Sequence, residues 1–480
     1  MKKTPSQIIG LISGPIAFLL ILMFLRPEGM PKAAVAVLAS TVWIGIWWVT
    51  EVIPIAATAL LPIILFPITE GLSVKATTAA YGHRYIFLYM GGFIIAIAIE
   101  KYNLHRRIAL SVIDMVGSKL SNIILGFMMA TAFLSMWISN TATAVMMLPI
   151  GMAIISTYRD HKQATIEEAD KFGKALLLAI AYSASIGGIG TLIGTPPNLV
   201  LAGIFTEMYG TEITFLDWLK IGLPVSIVLL VICWLFLTRN AFKITNYSFP
   251  GGITEIKDQP RALGQLGFEE KRILIVFVIT ALAWISRSYL ITPYLPGVDD
   301  TVIALAGAMV LFLIPSAKSE PLINWNDAVK IPWGIIILFG GGMAIAQAFQ
   351  SSGLAEYLGS QLNVIDGFPT LAIILIIVIS MNFLTEITSN LATTAMILPI
   401  LAPMASSFGL HPLILMVPAT LAASCAFMLP VATPPNAVVF GAGTLRIPDM
   451  MKAGFWLNIL SIVLITLVSY FLIEVIWDLG

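Results

Sequence analysis

The sequence is poor in charge. Only 11% of its 480 residues are Asp, Glu, Lys or Arg, while 58% are hydrophobic; soluble proteins carry about 25% charged residues. A soluble chain could not cover so much apolar surface with so few charged side chains. The 26 basic and 26 acidic residues balance, so no excess positive charge suggests nucleic acid as a partner. We therefore expect an all-α polytopic protein of the plasma or inner membrane, embedded in the lipid bilayer.

Reactive and metal-binding side chains are also scarce. The two cysteines, Cys233 and Cys425, lie in apolar runs and predict no disulfide framework. The four histidines are scattered without the spacing of a metal site, and no glycine-rich phosphate-binding loop occurs. An intramembrane enzyme would need paired Asp residues or a Ser/His couple at membrane depth. We therefore expect neither an enzyme nor direct use of ATP.

A polar motif occurs twice inside apolar surroundings. The segments SNTATAVMMLPI from Ser139 and SNLATTAMILPI from Ser389 are 250 positions apart and agree at eight of twelve residues. Each lies within an apolar run too long for one span, at 122–156 and 370–406. We interpret each run as a helix that breaks at the motif and resumes. Such residues can simply join neighbouring helices, but two copies in equivalent surroundings favour one site built from two halves.

Two further pairs of segments complete a repeat. Apolar segments 85–99 and 331–349 carry glycine pairs at matching positions and predict re-entrant hairpins. Thr195-Pro196-Pro197-Asn198 matches Thr433-Pro434-Pro435-Asn436 at an offset of 238, and paired prolines end a helix. The pattern predicts an inverted two-fold repeat with two hairpins and two broken helices. Broken helices in matching places of two halves are typical of a transporter site.

The apolar runs predict about 11 transmembrane spans in five segments. These are N-terminal scaffold spans (1–80), first-repeat transport elements (81–210), a linker with scaffold spans (211–330), second-repeat transport elements (331–445) and a C-terminal span (446–480). The polar stretch 239–271 is predicted to be a solvated linker between the halves.

The chemistry of a broken helix suits an anion beside a cation. A break exposes N–H groups, which attract carboxylates, and C=O groups, which suit a hard cation. Asn140 can donate and accept, and Thr141 can donate. No charged residue at mid-membrane depth is then required. Glu386, three residues before Ser389, is either a proton carrier or a paired structural group.

These motifs, together with Thr50-Glu51-Val52-Ile53-Pro54, resemble the divalent anion/sodium symporter family, the INDY-type carboxylate transporters. The resemblance runs from about residue 30 to the end of the chain. It implies a homodimer, an elevator-type movement and Na⁺-driven uptake of C4-dicarboxylates such as succinate, fumarate and malate.

The resemblance also implies site residues. The substrate positions are Asn140, Thr141, Thr195, Asn390 and Pro434. The first sodium site comprises Ser135, Ser139, Asn140 and Gly188, and the second comprises Thr385, Thr388, Asn390 and Ala432. The sequence departs from the strict motif at Leu391, where threonine would supply one more hydroxyl donor. We expect this change to alter substrate length preference and affinity.

One alternative of the same fold is a sodium-independent exchanger of dicarboxylates or tricarboxylates. Such an exchanger would more naturally place a fixed positive charge at the sodium positions. Ser135, Ser139, Thr385 and Thr388 are small and neutral, which favours the symporter.

Overall fold

The computed structural model describes residues 3–115, 117, 119–160, 165–244, 264–361 and 368–477. Within these residues the secondary structure is helical, apart from isolated bridge residues such as the pair Pro315 and Pro321. Ten helices of the described part are long and apolar enough to cross a membrane, and five shorter apolar helices accompany them. The all-α polytopic prediction is confirmed. The central part of the predicted linker, 245–263, lies outside the described residues.

The helices are numbered in chain order. The first half contains α1 (Pro5–Phe24), α2 (Lys32–Thr50), α3 (Ile55–Thr58), α4 (Leu61–Ile68), α5 (Val74–Ala80), α6 (Arg84–Lys101), α7 (Leu104–Asp114), α8 (Leu120–Ser135), α9 (Asn140–Asp160), α10 (Ile166–Ile189), α11 (Pro196–Tyr209) and α12 (Phe215–Leu235). The second half contains α13 (Phe268–Ser286), α14 (Asp300–Leu313), α15 (Trp325–Ala328), α16 (Trp333–Ser351), α17 (Leu354–Gln361), α18 (Thr370–Leu384), α19 (Asn390–Ser407), α20 (Leu413–Ala423), α21 (Pro434–Phe440) and α22 (Ile447–Trp477). Helices α6–α12 correspond in order to α16–α22.

The two repeats run in opposite directions. The start of α6 lies near the α11–α12 connection, where Arg84 pairs with Glu212 at 3.7 Å. Its end lies beside α15, where Lys101 pairs with Asp327 at 2.7 Å. Helix α16 begins just after α15 and ends beside α11, where the side chain of Gln350 donates to the carbonyl of Met208. The equivalent helices α6 and α16 are therefore antiparallel, which confirms the inverted repeat.

The first Ser-Asn segment is a re-entrant hairpin. Phe127 of α8 and Gly151 of α9 lie twelve residues on either side of Ser139, and an unbroken helix would separate them by about 36 Å. A Cβ added to Gly151 would instead lie 3.7 Å from the Phe127 ring and 2.8 Å from the side chain of Ile180 on α10. The chain therefore doubles back at the motif, and the prediction that this helix resumes across the membrane is wrong.

The second Ser-Asn segment folds in the same way. Helices α18 and α19 both pack along α20, as α8 and α9 both pack along α10. The side chain of Ser389 accepts from the N–H of Ala392 and so caps α19. Both motifs therefore lie at the tips of helical hairpins, and these hairpins enter from opposite faces because the repeats are inverted.

The segments predicted as hairpins, 85–99 and 331–349, are the continuous helices α6 and α16. Their glycines serve close packing. A Cβ on Gly91 would lie 2.7 Å from the backbone of Ala304, and one on Gly341 would lie 2.7 Å from the carbonyl oxygen of Ala59. Glycine is needed there because two backbones touch. The structure thus contains two hairpins and two broken helices, but the hairpins lie at the Ser-Asn motifs and the broken helices elsewhere in each repeat.

The broken helices are those that end at the paired prolines. Helix α10 ends at Ile189 and α11 begins at Pro196; α20 ends at Ala423 and α21 begins at Pro434. Proline fits the first helical position because its missing N–H would have no helical partner there. The five-segment domain division remains a prediction.

Candidate functional site

A cavity of about 940 Å³ lies where both hairpin tips and both helix breaks meet. Residues of α1, α2, α3, α6 and α16 also line it. The cavity lining includes these predicted site residues: Ser139, Asn140, Thr141, Thr195, Thr388, Asn390, Ala432 and Pro434. Ser135, Gly188 and Thr385 lie behind this lining. The structure therefore gathers positions up to 299 residues apart, from Ser135 to Pro434, around one space.

The asparagines of the paired-proline motifs hold the breaks in shape. The side-chain amide of Asn198 donates to the carbonyls of Gly188 and Thr191, at 3.1 and 2.7 Å. Asn436 donates to the carbonyls of Ala426 and Leu429, at 3.2 and 3.0 Å. Each pair of acceptors is equivalent in the repeat. These carbonyls have lost their helical donors at the break, and the amide replaces them.

Oxygen atoms converge behind the first hairpin tip. The hydroxyl of Ser135 donates to the carbonyl of Ala184 at 2.6 Å and lies 2.5 Å from Oδ1 of Asn140. The same Asn140 atom lies 3.2 Å from the carbonyl oxygen of Gly194 and 3.3 Å from that of Ala184. Gly188 leaves the necessary room, since a Cβ there would lie 2.7 Å from this Oδ1.

Two arrangements satisfy these oxygens. Rotating the Asn140 amide by half a turn lets its nitrogen donate to all three neighbours, and oxygen and nitrogen positions of an amide are assigned from such contacts. The other arrangement is a hard cation held by Asn140 Oδ1 and the two carbonyl oxygens, with the 2.5 Å contact to Ser135 remaining a hydrogen bond. Ligands at about 2.3–2.6 Å from one ion, placed at right angles, are about 3.3–3.7 Å apart. Of the two carbonyl distances, 3.3 Å meets the short end of that range and 3.2 Å falls just below it.

The second tip places its hydroxyls differently. Thr385 donates to the carbonyl of Ala423 at 2.9 Å, which resembles the contact between Ser135 and Ala184 but is shifted by one residue along the acceptor helix. The hydroxyl of Thr388 lies 2.7 Å from the carbonyl of Leu384 and 2.6 Å from the hydroxyl of Thr393. Thr385, Thr388, Asn390 and Ala432 thus share one tip region, yet the convergence of oxygens is tighter in the first repeat.

Helix N-termini supply positive potential to the cavity. Helices α9, α11 and α19 begin at Asn140, Pro196 and Asn390, all of which line the cavity. The helix dipole places about half a positive charge at each N-terminus. Among the described residues that line the cavity, none is Lys or Arg. Backbone dipoles and neutral side chains therefore dominate the attraction for an anion.

Leu391 occupies the position equivalent to Thr141. Its side chain is 4% exposed and lines the cavity. The position that carries a hydroxyl in the first repeat therefore carries an alkyl group in the second, and the cavity lining is asymmetric.

Glu386, the candidate proton carrier, holds the second break. Its carboxylate accepts from the backbone N–H groups of Phe427 and Met428 at 2.8 and 2.9 Å, and from Leu429 at 3.1 Å. The amide of Asn458 on α22 donates to it at 2.8 Å. Glu386 is not part of the cavity lining. Sequence reasoning missed Asn458, although an asparagine inside an apolar span was a signal.

Trp137 is another residue that sequence reasoning missed. It lies in the first hairpin tip and lines the cavity. Its ring stacks on Phe215 with centroids 6.0 Å apart and meets Phe277 edge-on at 4.9 Å. These contacts tie the tip to α12 and α13.

Comparisons with known proteins agree with this architecture. The family described as "Sodium:sulfate symporter transmembrane region" matches residues 6–477. The sodium-dependent dicarboxylate transporter SdcS of Staphylococcus saprophyticus subsp. saprophyticus is 49% identical over 474 residues, covering 97% of this chain and 91% of the relative. SdcS of Staphylococcus aureus is 47% identical over 485 residues, covering 99% and 93%.

Two solved structures show the same fold. Neisseria gonorrhoeae MtrF superposes with a TM-score of 0.59 at 13% identity, covering 95% of this chain and 98% of MtrF. The Alcanivorax borkumensis YdaH transporter gives 0.59 at 12% identity, covering 94% and 100%. The family match spans nearly the whole chain and confirms the resemblance inferred from the motifs. The chain therefore belongs to the sodium:sulfate symporter family, the divalent anion/sodium symporters, as a multi-pass membrane transporter.

Proposed function

We propose that the protein is a sodium-coupled symporter that imports C4-dicarboxylates such as succinate, fumarate and malate. The observation that carries the proposal is the oxygen cluster at Ser135, Asn140 and Gly194, which adjoins a cavity lined by helix N-termini. This arrangement offers a hard cation and an anion adjacent places. The relatives named sodium-dependent dicarboxylate transporters support the same ion and substrate class.

In this proposal each repeat binds one carboxylate end and one sodium ion. Asn140, Thr141, Thr195, Asn390 and Pro434 contact the substrate. Ser135, Ser139, Asn140 and Gly188 form the first sodium site, and Thr385, Thr388, Asn390 and Ala432 form the second. Because Leu391 has no hydroxyl group, one carboxylate of the substrate has one hydrogen-bond donor fewer.

Sodium neutralises the substrate. A dianion needs two monovalent cations to cross without net charge, and a third makes uptake respond to voltage. Each net charge moved is worth about 2.3 kcal/mol per 100 mV. The site oxygens are neutral groups, so the ions rather than protein charges compensate the substrate.

The movement in this proposal is an elevator, in which the hairpins and broken helices travel together within a homodimer. The cavity supports it, because its lining combines both tips with residues of α1, α2 and α16, which lie outside the hairpins and broken helices. Two contacts at the seam between these two groups of elements involve small or flexible residues. A Cβ on Gly342 of α16 would lie 2.9 Å from the Ala395 side chain of α19, and one on Gly45 of α2 would lie 2.9 Å from the Met396 sulfur.

The test is uptake of labelled succinate into proteoliposomes with sodium or choline outside. We expect uptake with sodium only, and a weaker sodium response after Ser135→Ala. Ser183→Ala is the matched control, since Ser183 is buried on α10 and donates within its own helix. Unchanged uptake in choline, or counterflow without sodium, would replace symport by the exchanger alternative.

A further inference from the structure

A second, smaller groove lies away from the substrate cavity. It has a volume of about 370 Å³ and lies between α7 and the first hairpin. Met146, Pro149 and Ile150 of α9 supply its accessible apolar walls, and Ala153 leaves space beside them. Leu134 and Met147 are buried beneath, and His105, Arg106 and Ala109 of α7 also line the groove. An apolar groove with one cation suits an amphiphile rather than a soluble ion.

The two arginines of α7 have different surroundings. Arg107 is occupied: its guanidinium lies 3.1 Å from the carboxylate of Glu270 and donates to the carbonyl of Gly264 at 2.8 Å. Gly264 is exposed just before α13. Arg106 is exposed and has no hydrogen-bond or ion-pair partner within the described part of the chain. Its charge is therefore available to a ligand. Because its neighbour Arg107 contacts the polar start of α13, this charge lies near the same polar end of that helix.

The second repeat provides an internal reference. At an offset of 250, Arg106 corresponds to Glu356 and Ala153 corresponds to Pro403. A Cβ added to Gly359 of α17 would be in ordinary contact with Pro403, 3.4 Å from its carbonyl oxygen. Helix α17 therefore packs on the second hairpin with an acidic residue where α7 carries the basic Arg106. The repeat fold alone does not require a cation at this position.

We propose that this groove binds a phospholipid with an anionic head group. The phosphate pairs with Arg106, and one acyl chain lies along Met146, Pro149 and Ile150. An arginine at the membrane surface attracts anionic lipid and matches phosphate geometry through two parallel N–H donors. The chain's apolar groove and unpaired cation together select such a lipid over a zwitterionic one of equal chain length.

The experiment is native mass spectrometry of the full-length protein after equilibration with phosphatidylglycerol or phosphatidylcholine of the same acyl chains. We expect the wild type to retain phosphatidylglycerol in about fivefold preference. Arg106→Ala should abolish that preference, and Arg106→Lys should keep part of it. Arg159→Ala is the matched control, because Arg159 is exposed at the end of the same hairpin.

A second variant tests the apolar part. Ala153→Phe fills the groove and leaves Arg106 in place, so it should also abolish the preference; it decides the question if Arg106→Ala fails to fold. Equal losses for Arg106→Ala and Arg159→Ala would overturn the proposal, as would normal retention by Ala153→Phe. Displacement of the lipid by millimolar inorganic phosphate would overturn it too, because the site would then recognise a free anion.

Discussion

The two hairpin tips have similar backbone arrangements, but partly different side chains stabilise them. In both, a hydroxyl near the tip donates to a neighbouring helix: Ser135 to Ala184 at 2.6 Å and Thr385 to Ala423 at 2.9 Å. In both, an asparagine braces the break. The next residue differs: Met136 follows Ser135 in the first repeat, whereas Glu386 follows Thr385 in the second.

The length of unwound chain explains that difference. Helix α10 continues to Ile189, whereas α20 ends at Ala423, four residues earlier at the repeat offset. The earlier end frees the N–H groups of residues 427–429, and the Glu386 carboxylate accepts all three. The comparison shows that two inverted repeats can share a backbone geometry while different side chains stabilise it. Four experiments test it.

The largest effect is expected for Glu386→Gln. The amide loses the charge of the acceptor and turns a donor toward backbone N–H groups, so the free energy of unfolding should fall by about 3 kcal/mol. Met136→Leu at the equivalent position should change it by less than about 1.5 kcal/mol. Denaturant unfolding in detergent measures both. Similar small changes in the two variants would show that the carboxylate does not hold the second break.

Next in size are Asn198→Ala and Asn436→Ala. Each removes the donor that satisfies carbonyls at one break, so each should lower the free energy of unfolding by about 2 kcal/mol. Asn240→Ala, at an exposed position, is the control and should have little effect. Thermal unfolding of the three variants provides the measurement. If only one of the two asparagine variants lost stability, the two breaks would be stabilised by different interactions.

A smaller, functional difference is expected between Ser135→Ala and Thr385→Ala. More oxygens converge on Ser135, so its loss should raise the sodium concentration for half-maximal uptake about tenfold, or about 1.4 kcal/mol. Thr385→Ala should raise it about threefold. Sodium titration of succinate uptake separates them. If Thr385→Ala has the larger effect, the first oxygen cluster is not the stronger cation site.

The smallest effect is expected for Leu391→Thr. The new hydroxyl restores the donor that Thr141 supplies in the other repeat, so the apparent affinity for succinate should rise about threefold. Leu391→Val, which adds no donor, is the matched control. Uptake at varied succinate concentration tests this, and an equal gain in both variants would assign it to volume instead.

The positions of the site residues were predictable because their signal is local. Polar residues such as Asn140 and Asn390 stand out in apolar runs, and the common offset of 250 pairs them. The direction of the chain after the motif was not predictable. A broken helix and a hairpin share one local pattern, helix then polar break then helix, and only the contact between Gly151 and Phe127 distinguishes them.

The glycine pairs illustrate the same limit. Glycine permits a turn, and it also permits two helices to touch. The sequence alone favours turns at Gly91 and Gly341 because the neighbours that require these glycines, Ala304 and Ala59, are remote in sequence. The role of Glu386 is ambiguous in the sequence for a similar reason: its N–H partners lie 41 to 43 residues away.

The seam at Gly342, Ala395, Gly45 and Met396 has a kinetic consequence. Interdigitated branched side chains must separate before two surfaces can slide past each other. Glycine and alanine have no side chain long enough to interdigitate. Methionine adapts by turning its own bonds. Friction along this seam is therefore low, and the speed of the proposed stroke should depend more on the stiffness and thickness of the surrounding lipid than on the protein surfaces that slide.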